Sequence, residues 1–446
     1  MDTGDTAWVL TSSALVLLMT PGLAFFYGGM VRAKSVLNMM MMSVGAIAVV
    51  VPLWVLYGYS TAFGNDVGLG LLGNPGEYLG LNGLIGADAV SGTAPAAAFV
   101  AFQAMFAILT VALVSGAIAD RVRFGPWLLF VGLWATLVYF PVAHWVFAFD
   151  GDGVVGGWIA NDLAALDFAG GTAVHINSGA AALALVLVVG KRRGWPREPM
   201  KPHNLPFVML GAGLLFFGWF GFNAGSALGA NTTAAVAFVN TMTATATAML
   251  GWLLVERIRD GRPTTLGAAS GVVAGLVAIT PACASVTPVG ALLLGLLAGA
   301  ICSLAVSLKY KLGYDDSLDV VGIHLVGGLV GTLLIGFLAS AAAPAAVNGL
   351  LYGGGVDQLW RQAVAAGAVL AYSFVVTLAI ALVVKAVVGL RSDPQDEVDG
   401  IDEAEHSEGA YEFSSLRGAG SAALTRNEVS LAASDVPETT KERAEL

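Results

Sequence analysis

Two stretches of the chain, LDFAGGTAVHINSG at 166–179 and DSLDVVGIHLVGG at 316–328, each place one histidine inside an apolar, glycine-rich segment. Ionisable side chains are rare at membrane depth because leaving water is costly, and where they occur they mark functional sites by default. The neighbouring glycines would let a second backbone approach closely. His175 and His324 are therefore the residues around which we interpret the rest of the sequence.

The composition places both stretches in a membrane protein. Of 446 residues, 57% are hydrophobic and 12% are charged, and the mean hydropathy is +0.78. Soluble domains carry about 25% charged residues, so a soluble enzyme, a nucleic-acid-binding protein and a disordered scaffold are excluded. The net charge of −10 comes almost entirely from the 14 acids and 5 bases of residues 391–446, which leaves no basic surface for nucleic acid.

A membrane-spanning helix needs about 20 mostly apolar residues. By this measure the sequence predicts an all-α integral membrane protein with eleven transmembrane helices, of which the eighth is short. The spans lie near residues 7–29, 37–61, 97–119, 125–147, 167–190, 206–228, 233–255, 264–282, 288–308, 320–341 and 363–389.

The basic residues orient these spans, because cytoplasmic loops carry an excess of Lys and Arg. With Met1 outside, every loop that is rich in basic residues falls on the inner side, and Arg361 alone lies outside. The prediction is N-terminus out and C-terminus in. The same rule explains why the outer loops carry acids and few basic residues. A weak electrostatic field that attracts external cations is an alternative explanation.

The two histidines also predict the internal symmetry. His175 lies in the fifth span and His324 in the tenth. Five is an odd number, so two five-helix halves would face opposite ways and bring both histidines near one midplane. We therefore predict an inverted repeat of two five-helix halves plus a final helix.

Two facing imidazoles make a poor metal site, because zinc sites need at least three protein ligands. Cys283 and Cys302 lie in apolar runs, where packing is the simpler role, and no HExxH or GxSxG motif occurs. No enzyme activity, metal or cofactor is predicted. A histidine pair in a narrow apolar passage can instead exchange protons or hydrogen bonds with a small passing molecule. For His144, near the outer end of the fourth span, we predict a structural hydrogen bond.

Aromatic residues near the outer ends of several spans give a second signal: Phe102, Phe106, Phe147, Trp219, Phe220 and Phe222, with Ser226 beside them. Aromatic residues at span ends usually form an interfacial belt. If they converged on one outer cavity, they would hold a small cation by cation–π attraction of about 0.5–2 kcal/mol each. The residues alone favour the belt.

Seven motifs occur along the chain: PGLAFFYGG, VLYGYSTAFG, DFAGGTAVHINSG, KPHNLP, GWFGFNAGSA, GLVAITPAC and DDSLDVVGIHLVGG. In sequence and order they resemble the ammonium transporters of the Amt/Mep/Rh class, from about Ala7 to Phe413, and FNAGSA and KPHNLP are closest to its bacterial Amt branch. The resemblance implies a homotrimer in the cell membrane. Each subunit would have eleven helices, surrounded by membrane lipid, and its own hydrophobic conduit for ammonium, ammonia and methylammonium.

The resemblance also implies residue roles. An external ammonium site would consist of Phe106, Phe147 and Ser226 and would be organised by Asp167, for which a simple helix cap is an alternative. Phe102 and Phe222 would be the stacked rings that close the outer mouth. The twin pore histidines would be His175 and His324, and the conduit would also be lined by Trp219 and Thr280.

One position departs from the family pattern. The residue that matches Phe147 is commonly tryptophan, and phenylalanine has a weaker cation–π face and no indole N–H. Trp145 stands two residues earlier, on a different helix face. The sequence therefore predicts a weaker or less polar recruitment site.

The chain divides into a membrane domain at 1–390, a cytosolic region at 391–413 and an extension at 414–446. The middle part resembles the family region that packs under the neighbouring subunit and helps contact a PII-type signal-transduction protein. The extension matches nothing, and its Ser, Ala, Glu and Thr content predicts disorder.

Solvation predicts the mechanism, because an intact ammonium ion would cross hydrocarbon only at a large cost in free energy. The cation should bind outside and lose its proton, and neutral ammonia should pass the histidines while the proton returns or travels separately.

Two other functions are alternatives to ammonium transport. An ammonium sensor would carry an added signalling domain, which the short extension does not offer, and a potassium channel would need a carbonyl filter such as TVGYG.

Overall fold

A computed structural model describes residues 1–151 and 153–411 of the chain. The predicted extension at 414–446 lies outside the described residues, as do the last two residues of the predicted cytosolic region. We call the end of the helix bundle at which the first helix begins the N-face, and the opposite end the C-face.

Within the described residues the protein is all-helical apart from one small hairpin, and ten helices are long and apolar enough to cross a membrane. This confirms the predicted multi-pass architecture. These helices are α1 (Thr3–Met30), α2 (Val36–Phe63), α3 (Ala96–Ile118), α4 (Phe124–Phe147), α5 (Gly171–Val189), α6 (Leu205–Gly225), α7 (Thr232–Arg259), α9 (Pro288–Leu312), α10 (Val321–Leu338) and α11 (Asp357–Val387). The hairpin pairs β1 (Val90–Ser91) with β2 (Ala94–Pro95).

The eighth predicted span forms a shorter helix, α8 (Thr265–Ile279), of 15 residues. It rises about 22 Å, less than the roughly 30 Å of a hydrocarbon core. Buried turns follow at 280–286, and the Asn240 side-chain amide donates to the carbonyl oxygens of Cys283 and Val286, both at 2.8 Å. Irregular backbone is tolerated at membrane depth only where such partners satisfy it.

Helices α5 and α10 share one construction, whereas the π-helical segments of α2 and α4, at Trp54–Gly58 and Ala135–Tyr139, lie inside those helices. Helices α5 and α10 each begin with a π-helical segment that carries the histidine, at Gly171–Ile176 and Val321–Leu325, and each continues as 13 residues of α-helix. Gly179 and Gly328 each lie four residues after a histidine. A Cβ on Gly179 would lie 2.4 Å from the Leu325 nitrogen, and one on Gly328 would lie 3.1 Å from the His175 Cβ. The two glycines therefore let these helices cross in close contact.

Two short helices, α12 (Pro394–Asp399) and α13 (Ile401–His406), lie against the C-face. The Asp402 carboxylate accepts hydrogen bonds from the backbone nitrogens of Leu37 and Asn38, at 2.9 and 2.8 Å, and Glu405 accepts from Phe124 at 2.9 Å. These nitrogens belong to the first turns of α2 and α4, where negative charge is stabilising. The acidic segment thus caps two membrane helices that lack a side-chain cap of their own.

Candidate functional site

The two histidines meet in the interior of the bundle. The side chains of His175 and His324 are buried, their Nδ1 atoms lie 3.3 Å apart, and their ring centroids are 5.4 Å apart. Because a hydrogen bond needs one donor and one acceptor, one ring carries its proton on Nδ1 and the other on Nε2. The Nε2 atom of His175 is buried and has no hydrogen-bond partner in the described part of the chain. It is available to a small molecule.

Aromatic side chains pack against His175 on the side of the pair that faces the N-face. Trp219 and Phe222 both stack on the His175 ring, at centroid distances of 5.5 and 6.1 Å. The Trp219 indole nitrogen donates to the Thr280 hydroxyl at 2.8 Å, and that hydroxyl donates to the Leu276 carbonyl at 2.7 Å. The predicted pore-lining residues Trp219 and Thr280 therefore contact each other, and the hydrogen bond fixes the indole against the histidine.

A cavity of about 520 Å³ opens at the N-face, and we call it the vestibule. Phe106, Phe147 and Ser226, the three residues expected to recruit ammonium, all line it. Further aromatic rings line the same wall: Tyr59, Phe63, Tyr78, Phe99 and Phe168. Of the six aromatic residues named from the sequence, Phe106 and Phe147 line this cavity, and the rest of its aromatic wall was not anticipated.

The expected ring pair at the mouth needs a correction. Phe222 packs against Phe106, with ring centroids 4.3 Å apart and ring planes tilted by 37°, rather than against Phe102. Phe102 is fully buried, packs edge-on against Phe106 at 5.0 Å and does not line the vestibule. The two phenylalanines share a helix face at i and i+4, so spacing alone cannot tell which ring reaches α6. Phe106 therefore both lines the vestibule and covers Phe222.

Asp167 does not line the vestibule. Its carboxylate accepts hydrogen bonds from the backbone nitrogens of Gly170, Gly171, Thr172 and Ala173, at 2.6 to 3.3 Å, and from the Thr172 hydroxyl. Burial raises the pKa of Asp167, and the hydrogen bonds from Thr172, Gly170 and Gly171 partly offset that effect. This geometry is that of a helix cap at the start of α5, two turns from His175. The neighbour of Asp167, Phe168, lines the vestibule.

Asp316 is a counterpart that the sequence interpretation missed. It lies eight residues before His324, as Asp167 does before His175, and this repeated spacing was the available signal. Its Oδ2 accepts from the Val321 nitrogen at 2.7 Å, while its Oδ1 is buried without a partner among the described residues. Burial raises the pKa of Asp316 to about 6; Lys309 opposes this rise and Asp319 adds to it. Helices α5 and α10 therefore each begin, at opposite faces, beside an aspartate that accepts hydrogen bonds from their first backbone nitrogens.

No group of three His, Cys, Asp or Glu residues within the described ranges is placed to hold a metal ion. Cys283 and Cys302 are free thiols, and both side chains are fully buried. The groups that the structure brings together at the site are imidazole nitrogens and aromatic faces.

The sequence matches the family model described as Ammonium Transporter Family over residues 7–411. An ammonium transporter of Mycobacterium tuberculosis strain H37Rv is 65% identical over 439 residues, which cover 94% of this chain and 92% of the relative. The ammonium transporter of Aquifex aeolicus is 48% identical over 92% of this chain and 94% of its own. These names describe transport and not catalysis.

Solved structures agree with the sequence relatives. The crystal structure of Saccharomyces cerevisiae Mep2 superimposes with a TM-score of 0.80 at 37% identity, and 88% of each chain is covered. A structure titled Sensor Amt Protein gives a TM-score of 0.83 at 28% identity, covering 90% of this chain and 98% of that one. The chain therefore belongs to the Ammonium Transporter Family, as a multi-pass protein of the cell membrane.

Proposed function

We propose that the protein binds ammonium in the vestibule, removes a proton from it and conducts neutral ammonia past the histidine pair. The observation that carries this proposal is the buried contact between His175 and His324, placed next to Phe222 and Trp219 and below an aromatic cavity. An ion would lose its hydration at this point at great cost, whereas ammonia can hydrogen-bond to a bare imidazole nitrogen.

Recruitment rests on Phe106, Phe147 and Ser226. Their ring faces attract a cation, and the Ser226 hydroxyl oxygen can accept a hydrogen bond from it while donating to the Phe222 carbonyl at 2.8 Å. The Phe106–Phe222 ring pair then separates the hydrated vestibule from the histidines, so that the substrate passes it after losing charge. The proton either returns to the vestibule or follows the histidine pair, and these routes give electroneutral or electrogenic transport.

The direct test uses the full chain in liposomes. Labelled methylammonium should enter saturably and ammonium should compete with it, while current recordings on the same membranes decide between the two proton routes.

The similarity to a structure titled Sensor Amt Protein makes ammonium sensing the second candidate. A sensor would bind ammonium without appreciable uptake, so absence of saturable uptake in a well-folded preparation would reject transport.

Replacing Phe147 with tryptophan should tighten the apparent affinity for ammonium. An indole face holds a cation more strongly than a benzene ring, and the expected gain is a fraction of a whole cation–π contact, which contributes about 0.5–2 kcal/mol. The measurement is the concentration of ammonium that half-saturates uptake or competition in liposomes. Phe149→Trp, which also lines the vestibule but lies away from the predicted recruitment set, is the matched control. Superimposable saturation curves would show that Phe147 does not hold the cation.

We further propose eleven transmembrane helices in which α8 completes the count, two inverted five-helix halves, and an external N-face. The shared π-helix, glycine and aspartate features of α5 and α10 support the repeat. The basic loops at the C-face support the orientation. Single cysteines at Gly92 and Arg193, probed in cells with an impermeant maleimide, test it. Labelling at position 193 but not at 92 would reverse the assignment.

For assembly we propose a homotrimer, on the strength of the family and of the glycine- and alanine-rich helix faces. Light scattering in several mild detergents measures the mass directly, and a monomer in all of them would refute it.

We also propose that residues 391–411, the described part of the cytosolic region, form the contact for a PII-type protein. Binding of such a protein to liposomes holding the full chain, but not to liposomes holding a chain that ends at residue 390, tests that contact.

Deleting residues 391–446 should impair transport, whereas deleting only 414–446 should leave it intact. The longer deletion removes Asp402 and Glu405 from the first turns of α2 and α4, and loss of a helix cap costs about 0.5–2 kcal/mol. Uptake in liposomes and unfolding temperature in detergent are the measurements, with the shorter deletion as the matched control. Equal losses in both would assign a structural role to the extension.

A further inference from the structure

His144 lies at the N-face end of α4 with both ring nitrogens against acceptor oxygens. Its Nδ1 lies 3.0 Å from the Ala62 carbonyl oxygen, and its Nε2 lies 3.4 Å from Asp66 Oδ1. The His144 side chain is fully buried and that of Asp66 is 7% exposed. The sequence interpretation predicted one structural hydrogen bond for this histidine, and the Ala62 contact supplies it. The Asp66 contact is a second feature.

A neutral imidazole carries a single N–H. With Nδ1 donating to Ala62, a neutral ring would turn the lone pair of Nε2 towards a carboxylate, which is repulsive. One further proton between Nε2 and Asp66 turns this contact into an attractive one. Among the described residues Nε2 makes no hydrogen bond, and the 3.4 Å contact with Asp66 Oδ1 is an ion-pair distance.

Burial disfavours a second proton on the ring, whereas the Ala62 carbonyl oxygen and the Asp66 carboxylate counteract that effect. Burial acts to raise the pKa of Asp66, but the backbone nitrogens of Gly70, Leu72 and Gly68, together with His144, hold it below its usual value. The other acids nearby are already engaged: Glu77 accepts from the Asn65 nitrogen at 2.7 Å, and Asp150 accepts from the Gly156 nitrogen at 2.7 Å. Asp66 is therefore the charged partner that faces the imidazole.

The pair also connects two segments of the vestibule wall. The Asp66 nitrogen donates to the Val155 carbonyl at 2.9 Å, and the Val155 nitrogen donates to Asn65 Oδ1 at 2.7 Å. The segment just before Val155 lines the vestibule through Phe149, Gly151 and Val154. Phe147 stands one helical turn after His144 on the same helix. A displacement of Asp66 from His144 would therefore reach the wall that faces the substrate.

We propose that His144 and Asp66 are positioning residues for recruitment: they share one proton, and that proton holds the vestibule wall and Phe147 in the binding arrangement. This inference rests on the proposed function of the vestibule. Loss of the proton at alkaline external pH would loosen the wall, so the apparent KM for ammonium should rise while the maximal rate changes little. Neither residue touches the substrate.

Uptake by the full chain in liposomes, measured across external pH, tests the proposal through three variants. Asp66→Ala should raise KM about fivefold or more at neutral pH and approach the wild-type KM at alkaline pH, since the variant lacks the contact at every pH. Asp66→Asn should keep a KM near that of the wild type but lose its alkaline rise, because the amide donates to neutral Nε2 without an added proton. Asp150→Asn, an acid of the same wall without a histidine partner, should keep the wild-type profile. An unchanged KM in Asp66→Ala, or the same alkaline rise in Asp66→Asn, would overturn the proposal.

A second measurement does not depend on transport. Nitrogen NMR of the full chain with ¹⁵N-labelled histidine rings, assigned with His144→Gln, should show both His144 nitrogens protonated at neutral pH. A bare Nε2 there would refute the shared proton, whatever the uptake data show. If the wild type takes up no methylammonium but this spectrum is as expected, the proposed function fails while the protonated pair stands.

Discussion

Replacing Asp167 with alanine should lower saturable methylammonium uptake about tenfold or more. The variant removes the acceptor for four backbone nitrogens and one hydroxyl at the start of α5. A buried donor left without a partner costs about 1–3 kcal/mol, and about 1.4 kcal/mol corresponds to a tenfold change. Because the freed groups belong to the π-helical segment that carries His175, the loss should reach the histidine pair through its backbone.

The measurement is initial uptake in liposomes at matched protein content, with size-exclusion profiles to confirm folding. Asp162→Ala, an exposed acid of the same loop, is the control and should behave as the wild type. Asp167→Asn should be intermediate, since one side-chain oxygen still accepts hydrogen bonds while the amide cannot. Wild-type uptake by Asp167→Ala would show that the cap does not position the site.

The spans could be predicted because apolar length is a property of the sequence alone. Boundaries differ where backbone hydrogen bonding decides them: the fifth span begins at Gly171 rather than 167, since Asp167 folds back as its cap. The eighth ends at Ile279 because the buried turns after it find partners in Asn240. A hydropathy window detects neither partner, because it counts apolar residues and not the side chains that hydrogen-bond to backbone groups.

The residues of the site could be selected from the sequence more easily than their contacts. The repeat argument brought His175 and His324 to one place, and the structure puts their Nδ1 atoms 3.3 Å apart. The choice between Phe102 and Phe106 depended on rotation of α3 against α6, which an i,i+4 spacing leaves open. Asp316 could have been found from its eight-residue spacing to His324. The His144–Asp66 contact depends on a loop that folds back onto a different helix, and spacing along the chain does not specify it.

Alanine at His175 or His324 should abolish most transport, and the two losses should not add. Each substitution leaves the remaining Nδ1 without its partner in an apolar passage, at a cost of about 1–3 kcal/mol, or about 5–150-fold in rate. The double variant removes both groups and leaves no orphaned nitrogen of the pair. Its loss should therefore be clearly smaller than the sum of the single losses in free energy.

The double-mutant cycle is measured as both ammonium-dependent current and methylammonium uptake, since the proton and the ammonia need not depend on the pair equally. His203 provides the matched cycle: it lies at the C-face, where its ring contacts the Val31 carbonyl oxygen at 2.9 Å and the Tyr411 hydroxyl at 2.8 Å. Because distant sites usually add, His203→Ala combined with His324→Ala should be additive. Additivity for His175 and His324 as well would mean that the shared hydrogen bond contributes nothing to transport. Each imidazole would then act alone, and a coupled relay through the pair would be rejected.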